Sequence, residues 1–143
     1  MSEQDNVRTV QEAYAAFGRG DIAALLAMLD EGVEWVTPGP PEVMPTAGTR
    51  RGREGVAEFF STLAETDDIE VFEPQEFIAR GDKVVAIIKC RTRLKATGRA
   101  VDDELVHIFT VRDGRITRFR EYFDTAAAVE ALRGAAAQAG VSG

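Results

Sequence analysis

Residues 115–124 read Arg-Ile-Thr-Arg-Phe-Arg-Glu-Tyr-Phe-Asp and have the alternating character of a β-strand. One face of this strand would carry Ile116, Arg118, Arg120 and Tyr122, and the opposite face Thr117, Phe119, Glu121 and Phe123. Because two arginines are rarely found in a dry interior, the phenylalanine face is predicted to point inward. Glu121 then lies between two aromatic rings, where a carboxylate is costly to ionise and is usually paired, protonated or functional.

The preceding segments are predicted to form the rest of a sheet. Residues 84–94 alternate, with Lys89, Arg91 and Arg93 on one face and Val84, Ala86, Ile88, Cys90 and Leu94 on the other. Residues 100–111 form the next strand, and Arg112-Asp-Gly114 predicts a tight hairpin into residues 115–124. Residues 69–79 contain Pro74, so this strand is expected at an edge or with a bulge. These strands predict an antiparallel meander.

The first half of the chain is predicted to be mainly helical. Apolar residues recur at helical spacing from about Asp5 to Phe17, and Asp21 is a candidate N-cap for a second helix. A short strand over 33–37 precedes a proline-rich loop over 38–45, and a third helix begins near Gly52. A last helix is predicted after Asp124, burying Val129 and Leu132. Helices followed by a meander indicate an α+β fold, and the concave side of its curved antiparallel sheet is the expected ligand site.

Composition limits the size and setting of the protein. The chain has 143 residues, of which 45% are hydrophobic and 29% charged, as in one globular domain. Residues 1–134 are predicted to form that domain, and the alanine- and glycine-rich residues 135–143 a flexible tail. The polar start of the chain is unlike a signal peptide, so a cytoplasmic location is expected.

Composition also argues against several partners. The net charge of −7 disfavours a nucleic-acid surface, and no apolar run approaches the roughly 20 residues of a membrane-spanning helix. The single cysteine, Cys90, and the single histidine, His107, supply too few ligands for a transition-metal site. Neither a metal nor a cofactor is therefore expected.

Several segments together resemble a known superfamily over nearly the whole chain. They are Gly20-Asp21-Ile22 with Leu25 to Leu29, Glu34-Trp35, Gly52-Arg53-Glu54-Gly55-Val56 with Phe59-Phe60, and the closing run from His107 to Asp124. On these residues the chain resembles the SnoaL-like proteins of the nuclear transport factor 2-like and ketosteroid isomerase-like superfamily. The resemblance implies a cone-shaped α+β barrel around a deep, mainly apolar pocket, often in a homodimer. The superfamily includes isomerases, polyketide cyclases, epoxide hydrolases, dehydratases and non-catalytic domains, so the fold does not fix the activity.

Ketosteroid isomerase is one enzyme of this superfamily whose catalytic residues do not match. Its base, an aspartate before a proline at the end of the first strand, corresponds to Thr37 here. The ungapped match places Ala13 at its oxyanion-hole tyrosine, with Tyr14 one residue away, and His107 at its protonated aspartate. The resemblance therefore does not imply steroid isomerisation by that mechanism.

Limonene epoxide hydrolase does not match either. It uses an arginine that bridges two aspartates, and Glu121 falls at one of these acids. Ile88 and Cys90 fall at the arginine and the other acid, so the triad is absent. Cyclases of the SnoaL type and scytalone dehydratase work with an acid or histidine and no cofactor, and the resemblance leaves these chemistries open.

Glu121 and His107 are the candidate catalytic residues. The resemblance turns the His107 face of residues 100–111 toward the pocket, beside the strand of Glu121. A Glu-His pair could pass a proton in either direction near neutral pH. Alternatively, Glu121 is a structural carboxylate that is paired with His107 or capped by the indole N–H of Trp35.

The other candidates are expected to bind substrate on the pocket wall. They are Trp35, Tyr14, Thr37, Ile88, Cys90, Phe109, Phe119, Phe123 and Phe59. Trp35, Tyr14 and Thr37 could each donate a hydrogen bond to a substrate oxygen. Cys90 has no neighbouring base in the pattern and is expected to be a small apolar wall residue rather than a nucleophile.

Two functions from different classes follow. The first is a small cofactor-independent acid/base enzyme of isomerase, cyclase or dehydratase type, acting on a hydrophobic oxygenated metabolite such as a polyketide-like or terpenoid carbonyl compound. In it Glu121 would carry the proton, and His107 would orient Glu121 or polarise the substrate oxygen. The second is a non-catalytic small-molecule-binding or dimerisation module that uses the same pocket.

Overall fold

The structure is a computed structural model that describes the backbone of residues 2–142 and the side chains of residues 2–133. The elements in this part of the chain are α1 (Glu3–Gly18), α2 (Ile22–Ala27), β1 (Leu29–Thr37), β2 (Gly48–Arg51), α3 (Gly52–Thr66), β3 (Asp67–Arg80), β4 (Lys83–Leu94), β5 (Ala100–Arg112), β6 (Arg115–Tyr122) and α4 (Thr125–Ser142). The predicted flexible tail falls on 135–143, where side chains lie outside the described residues. No helix of the described residues is long and apolar enough to cross a membrane.

The strands form one curved sheet in the order β2-β1-β6-β5-β4-β3. Strands β3 to β6 pair antiparallel, as the meander predicted, and the expected α+β fold is confirmed. The sheet is mixed rather than wholly antiparallel, because β1 lies parallel to β6, with Trp35 opposite Phe119. It stays open instead of closing into a barrel, since β2 and β3 are its two edges.

Pro74 has the position that its chemistry requires. It lies in β3, at an edge of the sheet, and the register with β4 shifts between Pro74 and Glu76. Because proline has no backbone N–H to donate, it is tolerated at an edge or a bulge, and here both apply.

Strict alternation fails at the start of β6. Val111 pairs with Ile116 and Thr110 with Arg118, so Thr117 is an extra residue without a partner. Such a bulge reverses the faces on one side of it. The predicted outward position of Ile116 is therefore wrong, and this side chain is fully buried. Beyond the bulge the alternation holds, with Phe119 3% exposed.

Side-chain caps lie at the N-termini of α1, α2 and α4, whereas α3 begins without one. Ser2 Oγ accepts a hydrogen bond from the Asp5 N–H at 3.0 Å at the start of α1. Asp21 caps α2 through the Ala24 N–H at 3.0 Å, and Asp124 caps α4 through the Ala127 N–H at 3.0 Å, as predicted for both.

Helix α4 packs through smaller side chains than the sequence predicts. Of the α4 side chains up to Arg133, Ala128 and Ala131 are buried, whereas Val129 and Leu132 are half-buried. Ala128 lies in a cluster with Met44 of the proline-rich loop and with Ala47 just after it. A close approach of α4 to this segment favours alanine over the larger residues at the contact.

Candidate active site

A cavity of about 710 Å³ opens on the concave side of the sheet. This volume is typical of small-molecule sites. Its wall is rich in rings, which belong to Tyr14, Phe17, Trp35, Phe59, Phe60, Phe72, His107, Phe109, Phe119 and Phe123. The rings brace one another, with Trp35 stacked on Phe119 at a centroid distance of 3.8 Å. The site is therefore a preformed, mainly apolar space.

The structure brings most of the predicted site residues to this wall. Both candidate catalytic residues line the cavity, together with Trp35, Tyr14, Thr37, Cys90, Phe109, Phe119, Phe123 and Phe59. Ile88 does not. It is fully buried and packs with Ala86, Cys90 and Leu105. Its strand face does point inward as expected, but neighbouring side chains separate it from the cavity.

Three polar side chains form a hydrogen-bonded chain on the wall. Nε2 of His107 lies 2.7 Å from Oε2 of Glu121, and Nδ1 of the same ring lies 2.9 Å from the hydroxyl of Tyr14. The strands β5 and β6 place His107 directly opposite Glu121, whereas Tyr14 reaches the ring from α1. The side chains of His107 and Glu121 are 7% and 18% exposed.

With an ionised Glu121 and a neutral imidazole, the two hydrogen bonds allow one arrangement of protons. An ionised Glu121 can only accept, so Nε2 of His107 carries the hydrogen between them. In a neutral imidazole Nδ1 is then an acceptor, and the Tyr14 O–H donates to it. Burial, and then the charge of Glu121, raise the pKa of Tyr14 far above its ordinary value, so this hydroxyl keeps its proton. The ring of His107 is held from both sides.

One oxygen of Glu121 is left for a ligand. Oε2 accepts from His107, while no described residue donates a hydrogen bond to Oε1. A general base needs a lone pair within hydrogen-bond reach of the substrate proton. Oε1 of Glu121 can fill that role, with Oε2 anchored by His107.

Tyr14, not Ala13, supplies the hydroxyl of this site. The ungapped comparison placed Ala13 at the isomerase tyrosine, but Ala13 is a small wall residue and the hydroxyl of Tyr14 meets residue 107. Sequence alone could not settle this offset, because the contact joins residues 93 positions apart in the chain and depends on how α1 docks.

Two donors on β1 have no partner among the described residues. The indole N–H of Trp35 and the hydroxyl of Thr37 are buried without a hydrogen bond, and both residues line the cavity. Trp35 therefore does not cap Glu121, which was one alternative from the sequence. Buried polar groups without partners are uncommon and often lie at functional sites.

The thiol of Cys90 is not activated. Burial raises the pKa of this thiol, despite a contact of 3.4 Å between Sγ and the Thr92 hydroxyl. The charges of Glu121, Asp103 and Asp67 raise it further. A protonated thiol is a poor nucleophile, which agrees with the wall role expected for this residue.

Asp67 is a cavity residue that sequence reasoning missed. It is the first residue of β3, directly after α3, and its carboxylate accepts a hydrogen bond of 2.6 Å from the Thr66 hydroxyl. Burial raises the pKa of Asp67 and outweighs the lowering by the Thr66 hydrogen bond; the charge of Glu121 raises it further, and that of Lys95 lowers it slightly. A helix-strand junction has no periodicity from which an inward direction could be predicted.

Tyr14→Phe tests the hydrogen-bonded chain. We expect a loss of about 1 kcal/mol of stability and a changed 15N shift of Nδ1 in His107, because that nitrogen loses its donor. His107 is the only histidine of the chain, so one pair of ring 15N resonances reports on it. Nε2 should remain protonated in both proteins.

Tyr122→Phe is the matched control, since that hydroxyl lies on an exposed side chain of the outer sheet face and contacts Arg120. It should leave the ring shifts of His107 unchanged. A wild-type spectrum with the hydrogen on Nδ1 and none on Nε2 would contradict the assigned tautomer.

Comparison with known proteins identifies relatives over almost the full length. A family model described as SnoaL-like domain matches residues 10–119. An NTF2-like protein from Burkholderia xenovorans is 40% identical, with a TM-score of 0.85 over 93% of this chain and 99% of that chain. TerC, crystallised with polyporic acid, is 31% identical, with a TM-score of 0.80 over 90% of this chain and 98% of that chain. Protein Rv0034 of Mycobacterium tuberculosis is 30% identical over 134 residues, which are 92% of this chain and 98% of that protein.

Proposed function

The chain belongs to the SnoaL-like domain family, and on that premise we propose that it is a small acid/base enzyme in which Glu121 moves a proton. Its substrate is a hydrophobic, oxygenated metabolite held in the aromatic cavity. The observation that carries this proposal is the chain from Tyr14 through His107 to Glu121, which ends on a carboxylate oxygen without a partner.

Each residue of the chain has a separate task in this proposal. Oε1 of Glu121 takes a proton from a C–H or O–H group of the substrate and returns it to another atom. The N–H of His107 holds Oε2, which fixes the orientation of the carboxylate before the transfer. Tyr14 acts on His107 rather than on the substrate, and it is a positioning residue. Such general catalysis is typically worth 10²- to 10⁴-fold in rate.

The wall supports an apolar substrate that carries an oxygen. The rings of Phe109, Phe119 and Trp35 offer flat apolar contact. The unpartnered donors of Trp35 and Thr37 would gain an acceptor from a carbonyl or hydroxyl oxygen. Isomerisation, cyclisation and dehydration of a carbonyl compound all need this combination of a base and a polarised oxygen.

Proton exchange is the direct test. The protein is incubated in D2O with a panel of apolar ketones that carry an acidic C–H beside the carbonyl, and deuterium uptake is followed by NMR. Polyporic acid enters a parallel binding assay, because TerC was crystallised with it. Catalysed exchange that disappears in Glu121→Gln supports the proposal, whereas full exchange in that variant removes Glu121 from the mechanism.

The second candidate is a binding protein without catalysis. It is favoured by the fact that His107 satisfies both ring nitrogens within the protein, as a purely structural buried pair would. Saturable binding of a ligand from the panel, with no exchange or turnover of any member, would favour this function.

We also propose a homodimer through the outer face of the sheet. Apolar residues face one another across the strands there, namely Ile78, Val85, Ile87, Val106, Ile108 and Tyr122. Ile78 and Tyr122 are 49% and 46% exposed, which is unusual for large apolar side chains. Sedimentation equilibrium should give twice the chain mass at micromolar concentration, and Tyr122→Glu should shift it toward the monomer. A monomeric wild type would contradict the proposal.

A further inference from the structure

We infer that Asp67 is a second ligand-binding carboxylate of the cavity, which accepts a hydrogen bond from a hydroxyl or ammonium group of an apolar guest and thereby disfavours anionic guests. The inference rests on the proposed function, since it concerns the ligand of the same cavity. It adds the polarity and charge of the group that the guest must carry.

The carboxylate of Asp67 has too few partners within the protein. Its described side-chain contact is the hydroxyl of Thr66, which donates to Oδ1 at 2.6 Å. No described residue donates to Oδ2, and Asp67 belongs to none of the ion pairs between described residues. Carboxylates that lose part of their water contact are usually compensated by hydrogen bonds or a charge partner. A donor group of a ligand would supply the missing partner.

Lys95, the cation whose charge acts on Asp67, is already engaged. Lys95 lies on the same part of the wall, and its Nζ donates to the backbone oxygen of Ala64 at 2.8 Å. Its charge lowers the pKa of Asp67 less than burial raises it. Lys95 therefore moderates the charge of Asp67 without neutralising it.

The other charged groups of the wall are acidic. Among the described residues, the carboxylates that line the cavity are Glu42, Glu65, Asp67, Asp103 and Glu121, and the only cation is Lys95. Asp103 accepts a hydrogen bond of 2.8 Å from the backbone N–H of Asp124, and Glu121 is hydrogen-bonded to Nε2 of His107. Neither contact brings a full positive charge while His107 is neutral. A guest with a carboxylate would meet this excess of negative charge in an apolar space, at a cost on the order of tenfold in affinity for each nearby carboxylate.

The shifted pKa of Asp67 agrees with this arrangement. Burial raises the pKa of Asp67 most, the hydrogen bond from Thr66 lowers it by less, and the charge of Glu121 raises it further, so the ionised form is less favourable here than in water. Ionised Asp67 lowers the free energy of unfolding at pH values above its folded-state pKa. This cost falls as the pH drops through that pKa and is gone below the ordinary pKa of an aspartate. A hydroxyl or ammonium donor would relieve the same penalty by binding.

Three biphenyls of the same shape test the inference. They are 4-phenylbenzylamine, 4-phenylbenzyl alcohol and biphenyl-4-carboxylate, which are cationic, neutral and anionic near pH 7.5. Trp35 is the only tryptophan of the chain and lies on the wall, so its emission reports binding directly. We expect the amine and the alcohol to bind at least about tenfold more tightly than the carboxylate.

Asp67→Asn should reduce this selectivity. It keeps an oxygen for the Thr66 hydroxyl but removes the charge, so the amine should bind about tenfold more weakly and the carboxylate more tightly. Asp68→Asn is the matched control, because Asp68 is exposed, adjacent in the chain and not part of the wall. It should leave all three affinities unchanged.

Lys95→Met provides a second variant should Asp67→Asn fail to fold. It should strengthen binding of the amine and weaken binding of the carboxylate. The inference is overturned if the wild type binds the carboxylate as tightly as the amine, or if neither the amine nor the alcohol binds. It is also overturned if Asp68→Asn changes the affinities as much as Asp67→Asn. Loss of proton exchange in Glu121→Gln is measured independently, so the proposed catalysis can fail or stand separately from this selectivity.

Discussion

Glu121→Gln is expected to lower kcat/KM by about 10²- to 10⁴-fold for any substrate that the proton-exchange screen identifies. Glutamine has nearly the same shape, and its side-chain oxygen can still accept from Nε2 of His107, now 2.7 Å from the carboxylate. The amide cannot take up a proton at neutral pH, so the loss should fall on kcat rather than on KM. Steady-state kinetics of the variant, with circular dichroism to verify its fold, make this measurement.

Glu104→Gln is the control for the removal of one negative charge. Glu104 lies on the same sheet, but it is exposed and faces Lys89 across the outer side. It should retain wild-type kinetics. A Glu121→Gln enzyme with unchanged kcat and a raised KM would contradict the role of Glu121 as proton carrier and leave it as a binding group.

Phe119→Ala is expected to cost about 3–5 kcal/mol of the free energy of unfolding. Phe119 is 3% exposed and stacks on Trp35. Its ring also makes T-shaped contacts with His107 and Phe109, at centroid distances of 4.7 Å and 5.2 Å. Removing it leaves a cavity between β1 and β6 and takes one aromatic neighbour from each of these three rings. Urea unfolding followed by far-UV circular dichroism measures the loss without relying on Trp35 emission.

Phe123→Ala is the comparison for this prediction. Phe123 also lines the cavity, but it is half-buried and lies just after β6. Its loss should cost about 1–2 kcal/mol, because less buried surface disappears. Equal costs for the two variants would show that the stack with Trp35 contributes little beyond general burial.

The sequence predicts the parts of this site that regular elements position. Alternation in β4 and β6 is enough to predict that Cys90, Phe119 and Glu121 point inward, because a period of two is visible in the sequence. All three line the cavity. The family resemblance then turned His107 to the same side. The pairing of these strands brings His107 opposite Glu121 without any further tertiary information.

The remaining features depend on irregular backbone or on docking. The bulge at Thr117 leaves no mark in composition, and β2 is a short polar strand, Gly48–Arg51, with alternate exposed and half-buried residues. Asp67 lies where helix α3 ends and strand β3 begins, so neither the helical nor the strand period predicts the direction of its side chain. The contact between Tyr14 and His107 requires the angle at which α1 crosses the sheet, which a pattern along the chain does not contain.

The bulge in β6 has a consequence for how one strand can serve two purposes. Ile116 and Glu121 are separated by an odd number of positions, yet both point to the concave side. In an unbroken strand, residues an odd number of positions apart point to opposite sides. The extra residue at Thr117 reverses the alternation and so brings both side chains to the same side. The part before the bulge places Ile116 in the core, and the part after it places Glu121 on the cavity wall. Deleting the extra residue would therefore reverse which side of the sheet one of the two parts faces.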